Sequence, residues 1–141
     1  MENQANIAAV TGSPAKELNK YQLNSENTEY TAPYIEHWVL QLHGVSPDKL
    51  DDTDRLLAYL HQAVEELSLT PVSDHSHYFG PGVSTVIILA ESHLSAHTWP
   101  ELGYIHLDAV TCVKSLNQEN LNRVFGKIFE PKRIQLDQLE Y

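Results

Sequence analysis

The strongest constraint on how this chain folds is the run Val83-Ser84-Thr85-Val86-Ile87-Ile88-Leu89-Ala90. It is rich in β-branched residues and is bounded upstream by Gly80-Pro81-Gly82, so it reads as a buried strand. A strand of that kind needs partners on both edges and a cover, and so commits the chain to a sheet. Directly after it comes Glu91-Ser92-His93-Leu94-Ser95-Ala96-His97-Thr98-Trp99-Pro100-Glu101, which reads as a polar loop at the strand end. Loops on the ends of rigid strands are common places for chemistry.

The remaining elements follow from periodicity. Ile35, His37, Val39 and Gln41 interleave with Glu36, Trp38, Leu40 and Leu42, which suits a first strand ending at Gly44. Asp52 or Thr53 caps a helix carrying Leu56, Leu57, Leu60, Ala63, Val64 and Leu67 at spacings of three and four. A second strand spans Thr70 to Phe79, the third is the apolar run, and a fourth covers Leu102 to Cys112. Residues Asn117 to Phe129 form a second helix closed by Pro131, and Lys132 to Leu139 a last strand. Adjacent strands with two helices predict an α+β two-layer sandwich: a mostly antiparallel sheet with both helices packed on one face. Residues 1–33 are polar and read as a flexible N-terminal extension ahead of one domain over 34–141.

Nine basic against nineteen acidic side chains give a formal charge of −10, which argues against a nucleic-acid partner. No apolar run is long enough to span a bilayer, so no membrane partner is expected. Cys112 stands alone and the first residues lack a secretion signal, so a cytoplasmic protein is expected.

Three chemistries fit the segment around Ser92. A metal site would draw on His93 and His97 with His75, His77, His106 or Cys112, but histidines four apart share a helix face and Pro100 ends any helix there. No metal is therefore expected. A serine hydrolase built on Ser92 or Ser95 lacks the glycine-flanked nucleophile elbow. The third chemistry is self-processing, in which a serine hydroxyl attacks the preceding carbonyl and the serine becomes a pyruvoyl group.

The runs Gly82-Val83-Ser84, Glu91-Ser92-His93-Leu94-Ser95, His97-Thr98-Trp99-Pro100-Glu101-Leu102-Gly103-Tyr104 and Asp108-Ala109-Val110-Thr111-Cys112 resemble the prokaryotic S-adenosylmethionine decarboxylase proenzymes. The similarity covers about Ile35 to Leu139. It implies cleavage between Glu91 and Ser92, a covalent pyruvoyl cofactor made from Ser92, and no metal. It further implies that His97 is the processing base and that Ser84 donates a hydrogen bond to the carbonyl under attack. Cys112 matches the proton donor to the carbon that loses carbon dioxide. Glu101 matches the carboxylate aimed at the ribose hydroxyls, and Tyr78, or Phe79 one residue on, the aromatic that stacks on adenine. The implied substrate is S-adenosylmethionine and the implied product the aminopropyl donor for spermidine. The implied assembly is a homodimer or higher oligomer with active sites near the subunit interface.

Val113 stands where a glycine usually follows the cysteine, a departure that leaves less backbone freedom there. Sibling pyruvoyl-dependent decarboxylases of arginine or ornithine, and a non-catalytic regulatory homologue, are the alternatives. Glu101 and an aromatic at Tyr78 favour the nucleoside substrate, and intact Ser92, His97 and Cys112 favour an enzyme.

Overall fold

In the computed structural model, residues 30–141 are described. The expected extension, save its last four residues, lies outside them. Residues 34–141 form one compact unit.

Six strands build one sheet: β1 (Glu36–His43), β2 (Pro71–Tyr78), β3 (Val83–Leu89), β4 (Ser92–Trp99), β5 (Tyr104–Thr111) and β6 (Arg133–Leu139). Their order is β2-β3-β4-β5-β1-β6, and every neighbouring pair is antiparallel. Helices α1 (Thr53–Glu66) and α2 (Gln118–Phe129) cover one face. This is the expected α+β sandwich, with one correction. The segment after the apolar run is not a loop but the central strand β4, so the sheet has a strand that the sequence reading lacked. Burial alternates strictly in its second half, with Leu94, Ala96 and Thr98 inward and His97 and Trp99 outward. His93, Ser95 and His97 on the outward face, and a serine at the strand's start, masked that period.

Both helices are fixed at their starts by side chains. Asp52 accepts from the backbone N–H groups of Asp54 and Arg55, as the sequence suggested, and Asn117 forms a reciprocal capping box with Asn120. Leu56, Leu60, Phe125 and Phe129 then pack onto Leu40, Leu42, Leu94, Ile105 and Leu107 in one apolar cluster. Thr98 is one of the few buried polar residues of that layer. Its hydroxyl accepts from Val83 N–H at 2.9 Å and donates to the Leu50 carbonyl at 2.7 Å, tying β4 to β3 and to the loop before α1.

The other face of the sheet carries no helix. Register and alternation place His37, His43, His75, His77, His93, His97 and His106 on it, seven of the eight histidines in the chain. Val86, Ile88 and Trp99 share it, and Ile88 and Trp99 are more than a third exposed. The surface thus mixes imidazoles with apolar and other polar side chains, whereas the opposite side is apolar apart from Glu36, Thr85, Thr98 and Thr111.

Candidate active site

The side chains singled out in the sequence collect at two ends of β4. At one end, the first residue of the strand is Ser92, and Ala90-Glu91 form the two-residue turn that joins it to β3. At the other end lie His97 and Trp99. Ser84 on β3 is the register partner of His97, while Ser92 is the partner of Leu89. Five residues separate the two positions, so at about 3.3 Å per residue they stand roughly 16 Å apart.

The His97 end is a cavity of about 330 Å³ lined by Phe79, the glycine-proline turn Gly80–Gly82, Ser84, His97, Thr98, Trp99 and Glu101. A close backbone approach shapes its wall: a Cβ on Gly82 would meet the Thr98 carbonyl oxygen at 2.6 Å, so a side chain there would force the turn off β4. Ser84 Oγ and His97 Nδ1 are 2.7 Å apart. With the ring proton on Nδ1, His97 donates to Ser84, leaving Nε2 free as a base and the serine hydroxyl free to donate onward. Across the sheet, His77, Ser84, His97 and His106 form one row of register partners.

The two candidate aromatics part company here. Phe79 lines the cavity, whereas Tyr78 turns its ring toward Gly80, 3.3 Å from where a Cβ would stand. Of the two, Phe79 is the one that lines the cavity. Trp99, to which the sequence gave no role, is a second aromatic wall, backed by Tyr104 with ring centroids 5.5 Å apart. Its outward position in a strand would have revealed it, had that strand been recognised.

The Ser92 end is organised around the bond that precedes the serine. Ser92 has a φ of 150°, a value that L residues rarely adopt. The Glu91 carbonyl accepts from the Cys112 backbone N–H at 2.9 Å. The Glu91 carboxylate accepts from Thr70 twice, from its N–H and from its hydroxyl, each at 3.0 Å. Those bonds, the backbone one foremost, hold the Glu91 carboxyl below the usual carboxylate range. The Cys112 thiol is exposed rather than packed away. Behind it on the open face, His37 Nε2 and His93 Nε2 both approach one oxygen of Asp108, at 3.2 Å and 3.7 Å.

Within one chain, therefore, the structure brings Ser84, His97, Phe79 and Glu101 together, and separately Glu91, Ser92 and Cys112. It does not bring Ser84 to the Glu91 carbonyl, as its place eight residues upstream had suggested. The antiparallel register of a hairpin carries those eight residues away from the turn. His93 and His97 do share a face, because positions four apart align on a strand as well as on a helix. Among the described residues no group of three or more His, Cys, Asp or Glu side chains is placed to hold a metal ion.

Comparison with known proteins decides the family. The S-adenosylmethionine decarboxylase family profile matches residues 36–140. This chain belongs to that family. An S-adenosylmethionine decarboxylase proenzyme of Sulfurihydrogenibium sp. (strain YO3AOP1) is 39% identical over 99 residues, 70% of this chain and 74% of the relative. One from Methanococcus maripaludis (strain S2 / LL) is 36% identical over 101 residues, 71% of this chain and 83% of the relative. The crystal structure of the adenosylmethionine decarboxylase from Aquifex aeolicus VF5 superposes with a TM-score of 0.69 at 33% identity, over 78% of this chain and 92% of that one. Among the described residues, no helix is long and apolar enough to cross a membrane.

Proposed function

We propose that this chain is a precursor that cleaves itself between Glu91 and Ser92, converts Ser92 to a pyruvoyl group and decarboxylates S-adenosylmethionine, yielding the aminopropyl donor for spermidine synthesis. The observation that carries the reading is the Glu91–Ser92 bond itself. It combines an uncommon serine φ with a carbonyl oxygen already held by a backbone N–H. Strain before the serine favours leaving the amide, and a donor on the oxygen stabilises the charge that develops as the amide is attacked.

In the first step, Ser92 Oγ adds to the Glu91 carbonyl carbon and the C–N bond breaks, leaving an ester to Oγ and a free amine on residue 92. A base then takes the Ser92 α-proton, and the new C-terminal α-carboxylate of residue 91 departs with the electron pair of the Cβ–Oγ bond. Water hydrolyses the resulting enamine-derived end with release of ammonia. His97 Nε2 is suited to the proton abstraction and the Ser84 hydroxyl to sharing the oxyanion with Cys112 N–H. Once formed, the pyruvoyl group supplies the electron sink that pyridoxal phosphate supplies elsewhere. Phe79 and Trp99 offer flat faces for adenine and a sulfonium, and Glu101 offers acceptors for a vicinal diol. The exposed Cys112 thiol beside residue 92 is suited to returning a proton to the carbon that has lost its carboxyl group.

The roughly 16 Å between Ser92 and the Ser84–His97 pair exceeds what side-chain rotation can close. His97 and Ser84 lie on the helix-free face, and Ser92 stands at the far end of the same strand beside the exposed Cys112. Two copies packed face to face about a two-fold axis would bring the His97 end of one onto the Ser92 end of the other, giving two composite sites. Exposed apolar side chains on that face support such a partner: Ile88 and Trp99 stay exposed in the single chain.

The test is an intact denaturing mass spectrum of the purified protein, followed by carbon dioxide release with S-adenosylmethionine, arginine and ornithine side by side. Fragments 1–91 and 92–141, the second headed by pyruvoyl, and turnover of the nucleoside substrate are the expected results. A permanently single chain, or preference for a bare amino acid, would overturn the reading.

A further inference from the structure

The Glu91 side chain sits on the acyl side of the bond to be broken, and both of its oxygens are occupied. Thr70 N–H donates to Oε1 and Thr70 Oγ1–H to Oε2, while Thr70's own carbonyl accepts from Ala90 N–H at 2.8 Å. Three bonds thus join one residue of the loop before β2 to the two residues of the β3–β4 turn. Cys112 N–H holds the same turn from the β5 side. We infer that Thr70 is a positioning residue for self-cleavage: it clamps Glu91 through its side chain so that the carbonyl faces Ser92 Oγ. The inference rests on the processing reading above.

Three features support it. The carboxylate is held in its ionised form by these bonds, with no charged side chain among the causes, so the pair acts as anion and donors. A carboxylate so engaged is not free to shuttle protons for Ser92, which leaves anchoring as its role. Finally, the β2–β3 pairing shifts register between Pro71 and Ser73, and beyond the shift Pro71 pairs with Leu89, which sets Thr70 opposite Ala90 at the turn. Thr70 is itself exposed, so a change there leaves the core intact.

The test compares Thr70→Val, which keeps the shape and the N–H but loses the hydroxyl, with Thr70→Ser, which restores it. Freshly synthesised full-length precursor is followed by mass spectrometry for the rate of cleavage, and processed enzyme is assayed for turnover per pyruvoyl group. Loss of one hydrogen bond to a charged group corresponds to about a tenfold slower cleavage in Thr70→Val. Thr70→Ser is expected near the wild-type rate, and turnover per pyruvoyl unchanged in both. Equal cleavage rates in wild type and Thr70→Val would overturn the clamp alone, as would failure of serine to rescue or a parallel loss of turnover. A wild-type precursor that never cleaves would overturn the processing reading, and the clamp with it.

Discussion

If the composite site is made by two copies, two individually dead chains should repair one another. Ser92→Ala removes the nucleophile and leaves Ser84 and His97 intact; His97→Ala removes the base and leaves the Glu91–Ser92 bond intact. The two positions lie at opposite ends of β4, five residues apart in the register with β3. Neither change disturbs the other end, and neither touches the buried cluster, since His97 points outward. In a two-fold dimer mixed from equal amounts, half of the molecules are hybrids. Each hybrid contains one site in which an intact Ser92 faces an intact His97, and one in which two alanines face each other. Roughly a quarter of all sites should therefore process, against none in either parent. Coexpression of the two tagged chains and a denaturing mass spectrum give the count directly, and every pyruvoyl-headed fragment must carry the His97→Ala mass. If the site is instead complete within one chain, the mixture stays as uncleaved as its parents. That result would refute the face-to-face arrangement.

Other expectations follow from single contacts. Thr98→Val leaves the buried Val83 N–H without its acceptor and the Leu50 carbonyl without its donor, which should cost about 2 kcal/mol or more; urea melts in an uncleavable Ser92→Ala background test this. The Glu91 carboxyl is held below its ordinary value, so its contribution to stability is fully present above the unfolded carboxylate range and is lost as pH falls through the lowered folded value. The acid limb of the denaturation midpoint should therefore flatten in Glu91→Gln, and an unchanged limb would remove Thr70's bonds as a source of stability. Because Phe79 lines the cavity and Tyr78 only reaches Gly80 at its edge, Phe79→Ala should raise KM for S-adenosylmethionine clearly more than Tyr78→Ala does. Equal effects would return the stacking role to the tyrosine.

The periodic elements were legible because their buried positions recur at fixed spacing. Asp52 and the leucines after it announced α1, and the β-branched residues from Val83 announced β3. The strand β4 was not, because His93, Ser95 and His97 face away from the helices and, with Ser92 at its start, make a half-buried strand look like a polar loop. That omission had a second effect. With β4 missing, Ser84 and Ser92 seemed close in sequence and hence in space, whereas the hairpin sends them to opposite ends. The motif residues themselves were readable from the linear order; their division between two ends of the sheet depends on register, which spacing alone does not reveal. The roles of Thr70 and Trp99 depend on the same register and on a shift in the β2–β3 ladder, neither of which leaves a local signature.

The strand order has a consequence for the molecule after cleavage. A cut at the β3–β4 turn assigns β1, β2 and β3 to one polypeptide and β4, β5 and β6 to the other, yet β1 lies between β5 and β6. The two polypeptides are woven through one another, so the finished sheet has no seam along which they can separate without breaking several ladders at once. Unfolding before the cut is a one-body event, whereas reassembly afterwards requires two strangers to meet. Cleavage there would make renaturation depend on two chains meeting and fall off on dilution, and would make maturation a one-way passage in folding as well as in chemistry.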